Sequence, residues 1–355
     1  MNDEILDEIR NQVVAELIKR RPWIPELDFQ YESQSLRDLT SGLGPLTDLL
    51  ERVTCTDLFI NSNNGVWIKS DLVLEKYDYV IEEEALVNFI RSHALRMGKH
   101  FDQAHPAIDL ELAGGIRLHA LLPPLVEQGI HVSVRINQQR DNLVFGSLYR
   151  EILTLIIQSK KNFLISGGTG SGKTTFLSHL IDQIPQNQRI LVIEDTREIQ
   201  ASHCHMLRLQ ARTNNSEGLG AYSVRELIRE ALRMRPDRIY LGEVRGSDVL
   251  DLLLALNTGH EGSGGTIHAN SPRDVPNRVA ALAMTLGIPR EGALALFASS
   301  IELIIHLDGK RQGNRISSIS QVVTGGKSVF VNELISVNGE FSIEHYLTLK
   351  KELNL

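Results

Sequence analysis

Residues 167–175 read GGTGSGKTT, and the apolar run FLIS at 163–166 leads straight into them. The pattern Gly167-x4-Gly172-Lys173-Thr174 is that of a phosphate-binding loop between a strand and a helix. Glycines let the backbone wrap closely around an anion with its N–H groups pointing inward. The helix that begins near Lys173 adds its positive dipole end. Within the loop, Gly167, Gly168, Thr169, Gly170, Ser171, Gly172, Lys173, Thr174 and Thr175 are the expected nucleotide contacts. Lys173 is the point charge for the β- and γ-phosphates, and the Thr174 hydroxyl is a ligand for Mg²⁺, so the expected ligands are ATP and Mg²⁺. At average residue frequencies a chain of this length shows the pattern by accident about 1% of the time. The strand before it and the helix after it lower that figure further.

Binding is not hydrolysis. Attack on a γ-phosphate needs a positioned water and compensation of charge. Two later apolar runs end in acids: RILVIE ends at Glu194, followed by Asp195, and RIYLGE ends at Glu243. In an open parallel sheet, ligands sit beyond the carboxyl ends of the strands. Glu243 is therefore expected to hold Mg²⁺ through water, although Gly242 stands where many P-loop enzymes have Asp. Glu194 is expected to orient or deprotonate the attacking water, and the two roles are exchangeable on this reading. The Gly-dense stretch 257–272, NTGHEGSGGTIHANSP, carries His260 and His268. His268 closes the run GGTIH at the ligand edge, where a histidine can report the presence of a γ-phosphate or simply bond to backbone. His260 is grouped with the nucleotide contacts.

Arg225, Arg229 and Arg233 recur every four residues and so share a helix face, where Glu226 and Glu230 are ready partners. Arg117 and Arg135 sit in the strand-like runs IRLHA and VSVRI of an earlier region, from which an arginine can neutralise transition-state charge. His203, Cys204 and His205 are metal-capable, but neighbours on a strand point to opposite faces and no second ligand cluster accompanies them. A structural zinc is not expected.

The chain has 355 residues, room for two ordinary domains. Residues 3–20 show amphipathic helical spacing, and Pro22 and Pro25 end it, giving an N-terminal helix and linker over 1–35. Short strands, a helix over 82–97 and a hairpin over 108–120 describe a small α+β domain at 36–140, and polar residues up to Gly146 give a linker at 141–147. From 148 to 355, strands and helices alternate, which indicates a RecA-like α/β domain with a mainly parallel sheet. The formal net charge of −7 argues against nucleic-acid binding as the main task. Two cysteines make no disulfide framework, the N-terminus lacks a signal-peptide pattern, and no run of about 18 apolar residues offers a membrane span. A cytoplasmic protein is expected, docked at the cytoplasmic face of an inner membrane.

Four motifs now stand in order: GGTGSGKTT (167–175), ILVIEDTREI (190–199), LRMRPDRIYLGEVRG (232–246) and TGHEGSGGTIHANSP (258–272). Together with IRLHALLPP and HVSVRI, they resemble the secretion ATPase superfamily of type II secretion, type IV pili and type IV secretion, over roughly residues 40–325. The motifs are most similar to CpaF-type ATPases of tight-adherence (Flp) pili, with conjugation-type ATPases close behind. The tetracysteine motif of many type II enzymes and the AIRNLIRE motif of retraction motors are absent. The resemblance implies a homo-hexamer that works on an inner-membrane platform protein, with nucleotide held between the two domains. By the same resemblance, Arg117 and Arg135 contact phosphates, Glu194 is the catalytic carboxylate and His268 touches the γ-phosphate. A nucleic-acid translocase on the same core and a nucleotide-gated scaffold are the rival readings. Stable nucleic-acid binding is not expected.

Overall fold

A computed structural model describes residues 42–62, 65–70, 73–136, 147–246, 248–309, 316–325, 328–337 and 342–355. The helix expected at 3–20, the turn at Asn63–Asn64 and the linker ahead of Ser147 lie outside them. The described residues fall into two compact units, one within Met1–Gln139 and the other within Arg140–Leu355.

In the first unit, six strands form one antiparallel sheet: β1 (Asp57–Asn61), β2 (Gly65–Ser70), β3 (Val73–Tyr77), β4 (Ala107–Glu111), β5 (Arg117–Leu121) and β6 (His131–Arg135). Their order is β3-β2-β1-β6-β5-β4. Alternate residues on the strands other than β3 face one core: Leu58, Ile60, Val66, Ile68, Ile108, Leu110, Leu118, Val132 and Val134 are buried there. The apolar stripe Leu86, Ile90 and Ala94 of helix α2 (Glu83–Arg96), together with Leu46 and Leu49 around α1 (Thr47–Arg52), completes that cluster. On the opposite face, register places Lys69, Asp57, Arg135, Arg117 and Glu111 side by side across five strands.

The second unit has three layers. Its sheet contains β7 (Phe163–Gly167), β8 (Ile190–Glu194), β9 (Met206–Gln210), β10 (Arg238–Val244), β11 (Gly264–His268), β12 (Leu303–Leu307), β13 (Ile316–Gly325) and β14 (Ser328–Ser336). The order is β14-β13-β12-β7-β11-β10-β8-β9. From β12 to β9 every neighbouring pair is parallel, while β13 and β14 join antiparallel. Strands β7, β8, β10 and β12 are buried on both sides, so they read as continuous apolar runs. Phe163 and Ile165 face helices α3 (Ser147–Gln158), α4 (Lys173–Asp182) and α9 (Ile343–Glu352). Leu164, Leu191 and Ile239 face α5 (Val224–Arg233), α6 (Asp248–Leu256), α7 (Val275–Met284) and α8 (Arg290–Ser300). No helix among the described residues is long and apolar enough to cross a membrane.

Candidate active site

The phosphate loop leaves β7 at its carboxyl end and enters α4 at Lys173. Gly172, the residue before the helix, takes the left-handed conformation with φ of 89°, which a side chain resists. Lys173 is buried, and its Nζ donates to the carbonyl oxygens of Gly167 and Gly168 at 3.1 and 2.8 Å. Burial lowers its pKa, while Glu243 and Glu198 pull the other way.

Parallel register aligns the neighbouring strand ends with the loop: His268 of β11 lies opposite Gly167. His268 Nδ1 is 3.2 Å from Lys173 Nζ, and its Nε2 is 3.3 Å from Glu243 Oε1. An ammonium can only donate, so Nδ1 accepts and the neutral ring carries its proton on Nε2 toward the carboxylate. Burial, and then the Lys173 charge, hold the ring below its ordinary pKa, which agrees with that form. The Arg245 guanidinium donates to Glu243 Oε2 at 2.7 Å. Burial pushes the Glu243 carboxyl up, but the Arg245 hydrogen bond and charge, with His268 and Lys173, bring it below the usual value. A chain of alternating character therefore runs from Lys173 through His268 and Glu243 to Arg245.

Glu194 has a different environment. It is 3% exposed, and its Oε1 accepts from the backbone N–H groups of Glu198 and Ile199, both at 2.9 Å. Its Oε2 is buried without a hydrogen-bond partner. Burial raises its pKa above the ordinary carboxyl range, against the two backbone hydrogen bonds. Gly242 explains how the side chain fits: a Cβ there would lie 2.8 Å from Glu194 Cγ. The missing side chain at Gly242 is thus the space Glu194 occupies.

Ligand fit can be tested on these groups. Ser171 Oγ is buried within the loop without a partner among the described residues, and Lys173 is held by two carbonyls and a histidine. Both suit an anion in the loop. Near its start, Thr174 Oγ1 donates to Glu198 Oε2 at 3.2 Å. With Glu243, the available metal donors are hard oxygens, the set that Mg²⁺ takes together with nucleotide phosphates and water. No group of three His, Cys, Asp or Glu side chains among the described residues could hold a metal ion by itself.

Comparison with known proteins gives a consistent answer. The family model described as "Type II/IV secretion system protein" matches residues 116–314. A Mycobacterium tuberculosis protein named for conjugal transfer is 37% identical over 290 residues, covering 78% of this chain and 82% of its own length. Conjugal transfer protein TrbB of Rhizobium radiobacter is 30% identical over 333 residues, covering 89% and 96%. The chain belongs to the type II/IV secretion system protein family. It is a secretion ATPase. Among solved structures, the pilus retraction motor PilT with bound ADP aligns at a TM-score of 0.56 and 20% identity, over 87% of this chain and 86% of that one. That likeness concerns the RecA-like fold with its preceding domain.

Within this family member, the fold brings Lys173, Thr174, Glu194, Glu243 and His268 to one edge of the sheet. His260 is placed elsewhere. It precedes β11, at the opposite edge, and its Nδ1 pairs with the Ala255 carbonyl at 3.0 Å near the end of α6. Arg117 and Arg135 lie in the first unit, opposite each other on β5 and β6. Arg225 and Arg229 pair with neither Glu226 nor Glu230: both reach the buried Asp251 of α6, at 2.7 and 3.1 Å. Glu226 is occupied by the cap of Ser223, and Glu230 pairs with Arg233. Glu198 and Arg245 were not singled out from the sequence, although both lie inside quoted motifs. The Thr174–Glu198 pair, 24 residues apart, depends on how the strand ends converge, whereas Arg245 reaches Glu243 locally, two residues away.

Proposed function

We propose that this ATPase is a hexameric motor whose ATP hydrolysis drives pilus assembly or protein secretion through a membrane platform protein. The observation that carries the reading is the convergence of Lys173, His268, Glu243 and Glu194 on the phosphate loop, with one buried Glu194 oxygen unpaired. Lys173 and the loop amides bind and orient the phosphates. Thr174 and Glu243 hold Mg²⁺, which when bound supplies charge neutralisation at the phosphates. Glu194, buried and with its pKa raised by desolvation, is the better-placed base, while Glu243 is committed to Arg245 and His268. An arriving phosphate competes for Lys173 and frees His268 Nδ1, so that the state of Glu243 follows the nucleotide.

Arg117 and Arg135 are proposed as phosphate contacts. Opposite each other on β5 and β6, the two guanidiniums form a planar donor pair of the kind that takes phosphate oxygens. The conjugal-transfer names of the relatives favour the type IV secretion branch over a tight-adherence pilus. Phosphate release by the purified protein with lipid and ATP tests the reading. Lys173→Ala is expected to lower it at least about 100-fold. Sedimentation with nucleotide is expected to give six copies. Hydrolysis at the wild-type rate by the Lys173→Ala protein would overturn the site.

A further inference from the structure

His306, on β12, lies outside the four motifs and outside the mechanism above. It neighbours β7 in register, with His306 opposite Ser166 and Leu307 opposite Gly167. Its Nδ1 is 2.9 Å from Ser166 Oγ, the residue immediately before the phosphate loop. Ser166 is fully buried, so this is the hydroxyl's route to satisfaction.

We infer that His306 is a positioning residue: its ring holds Ser166, at the root of the phosphate loop and opposite Ile267 of the strand that carries His268, and so sets the Lys173–His268 spacing. With the ring neutral and Nδ1 unprotonated, the serine hydroxyl donates to Nδ1. The surroundings keep it neutral: burial lowers its pKa, as does the Lys173 charge, against Asp308 and Asp274. Because Lys173 and His268 already touch at 3.2 Å, a small drift of either segment changes their contact. The expected consequence is on turnover rather than on ATP affinity, which the loop amides and Lys173 determine.

This inference rests on the loop being the ATP site, so Lys173→Ala serves as the control throughout. In the full chain, His306→Ala and Ser166→Ala are each expected to lower kcat about 10- to 100-fold while KM for ATP stays within about twofold. The double variant is expected to be no worse than the poorer single one, since both remove the same hydrogen bond. His306→Gln, which can accept and donate, is expected to recover kcat to within about threefold of wild type. If His306→Ala keeps wild-type kcat, or if kcat falls only in proportion to the folded fraction seen by circular dichroism, the inference is overturned. If His306→Ala does not fold, Ser166→Ala decides, and full activity there overturns it. Should Lys173→Ala also hydrolyse ATP normally, the site assignment itself is what fails.

Discussion

Asn162, Arg238 and Ser263 lie where β7, β10 and β11 begin; Gly167, Glu243 and His268 lie where they end. At the first edge the polar groups find partners inside the fold. Arg238, 2% exposed, donates to Gln188 Oε1 and to the carbonyls of Gly262 and Ile157. Asn162 uses both ends of its amide, on Leu256 O and Ser263 N, and the Tyr240 hydroxyl also reaches Gly262 O. At the second edge, Glu194 Oε2 and Ser171 Oγ are buried and unpaired, and Lys173, His268 and Glu243 hold one another with pKa values displaced from ordinary. Apart from Arg189 Nε, which is buried and unpaired just before β8, the groups named at the first end are satisfied by their own chain; the other end retains capacity for a ligand. Unpaired buried groups lower stability, and they concentrate where binding is done.

Substitutions at the two edges should therefore separate activity from stability. The largest effect is expected for Glu194→Gln, with kcat reduced about 100- to 10,000-fold in a phosphate-release assay and folding intact. A fold that unravels instead would erase the contrast. Next is Arg238→Met at the satisfied edge. It takes one of two donors from the Gly262 and Ile157 carbonyls and removes the donor to Gln188 Oε1, costing about 3 kcal/mol in chemical denaturation. The surviving folded protein should keep its kcat. Third is Gly242→Ala, whose methyl displaces Glu194. It should lower kcat about tenfold and stability by about 1–3 kcal/mol, joining the two readouts at one position.

The smallest effect is a pH dependence. Below the ordinary value of 4.5, Glu194 is protonated in both folded and unfolded chains, and it costs nothing. Above it, the unfolded chain ionises first, so folding loses stability until the raised folded pKa is passed. Glu194→Gln lacks that loss. Its denaturation midpoint should therefore rise relative to wild type as pH climbs through this window, then run parallel.

The parallel part of the second unit was legible because its strands are buried on both faces and read as unbroken apolar runs. Strand β9 was not: it is the sheet's outer strand, and Leu207 and Arg208 on it are exposed, so neither alternation nor an apolar run marks it. The β13–β14 hairpin was missed for a related reason, because Phe330, Asn332 and Glu333 interrupt any simple pattern. In the site, the acids at strand ends followed from one rule about parallel sheets. The exchangeable roles of Glu194 and Glu243 did not resolve in sequence, since the desolvation of Glu194 exists only once the strands are side by side. Likewise, nothing local marks Asp251 as the partner of Arg225 and Arg229, because the pairing crosses between helices.

The charged row on the first unit's sheet has a bearing on how this chain can vary. Arg117 and Arg135 stand next to each other, with Glu111 beyond one and Asp57 beyond the other. Those two acids are the lateral counterweights to the arginine pair. Drift at Asp57 or Glu111 should accordingly be correlated with drift at its arginine, even though the four positions are scattered over 79 residues of sequence, from Asp57 to Arg135. In a set of descendants, the row would change as a block, or hardly at all.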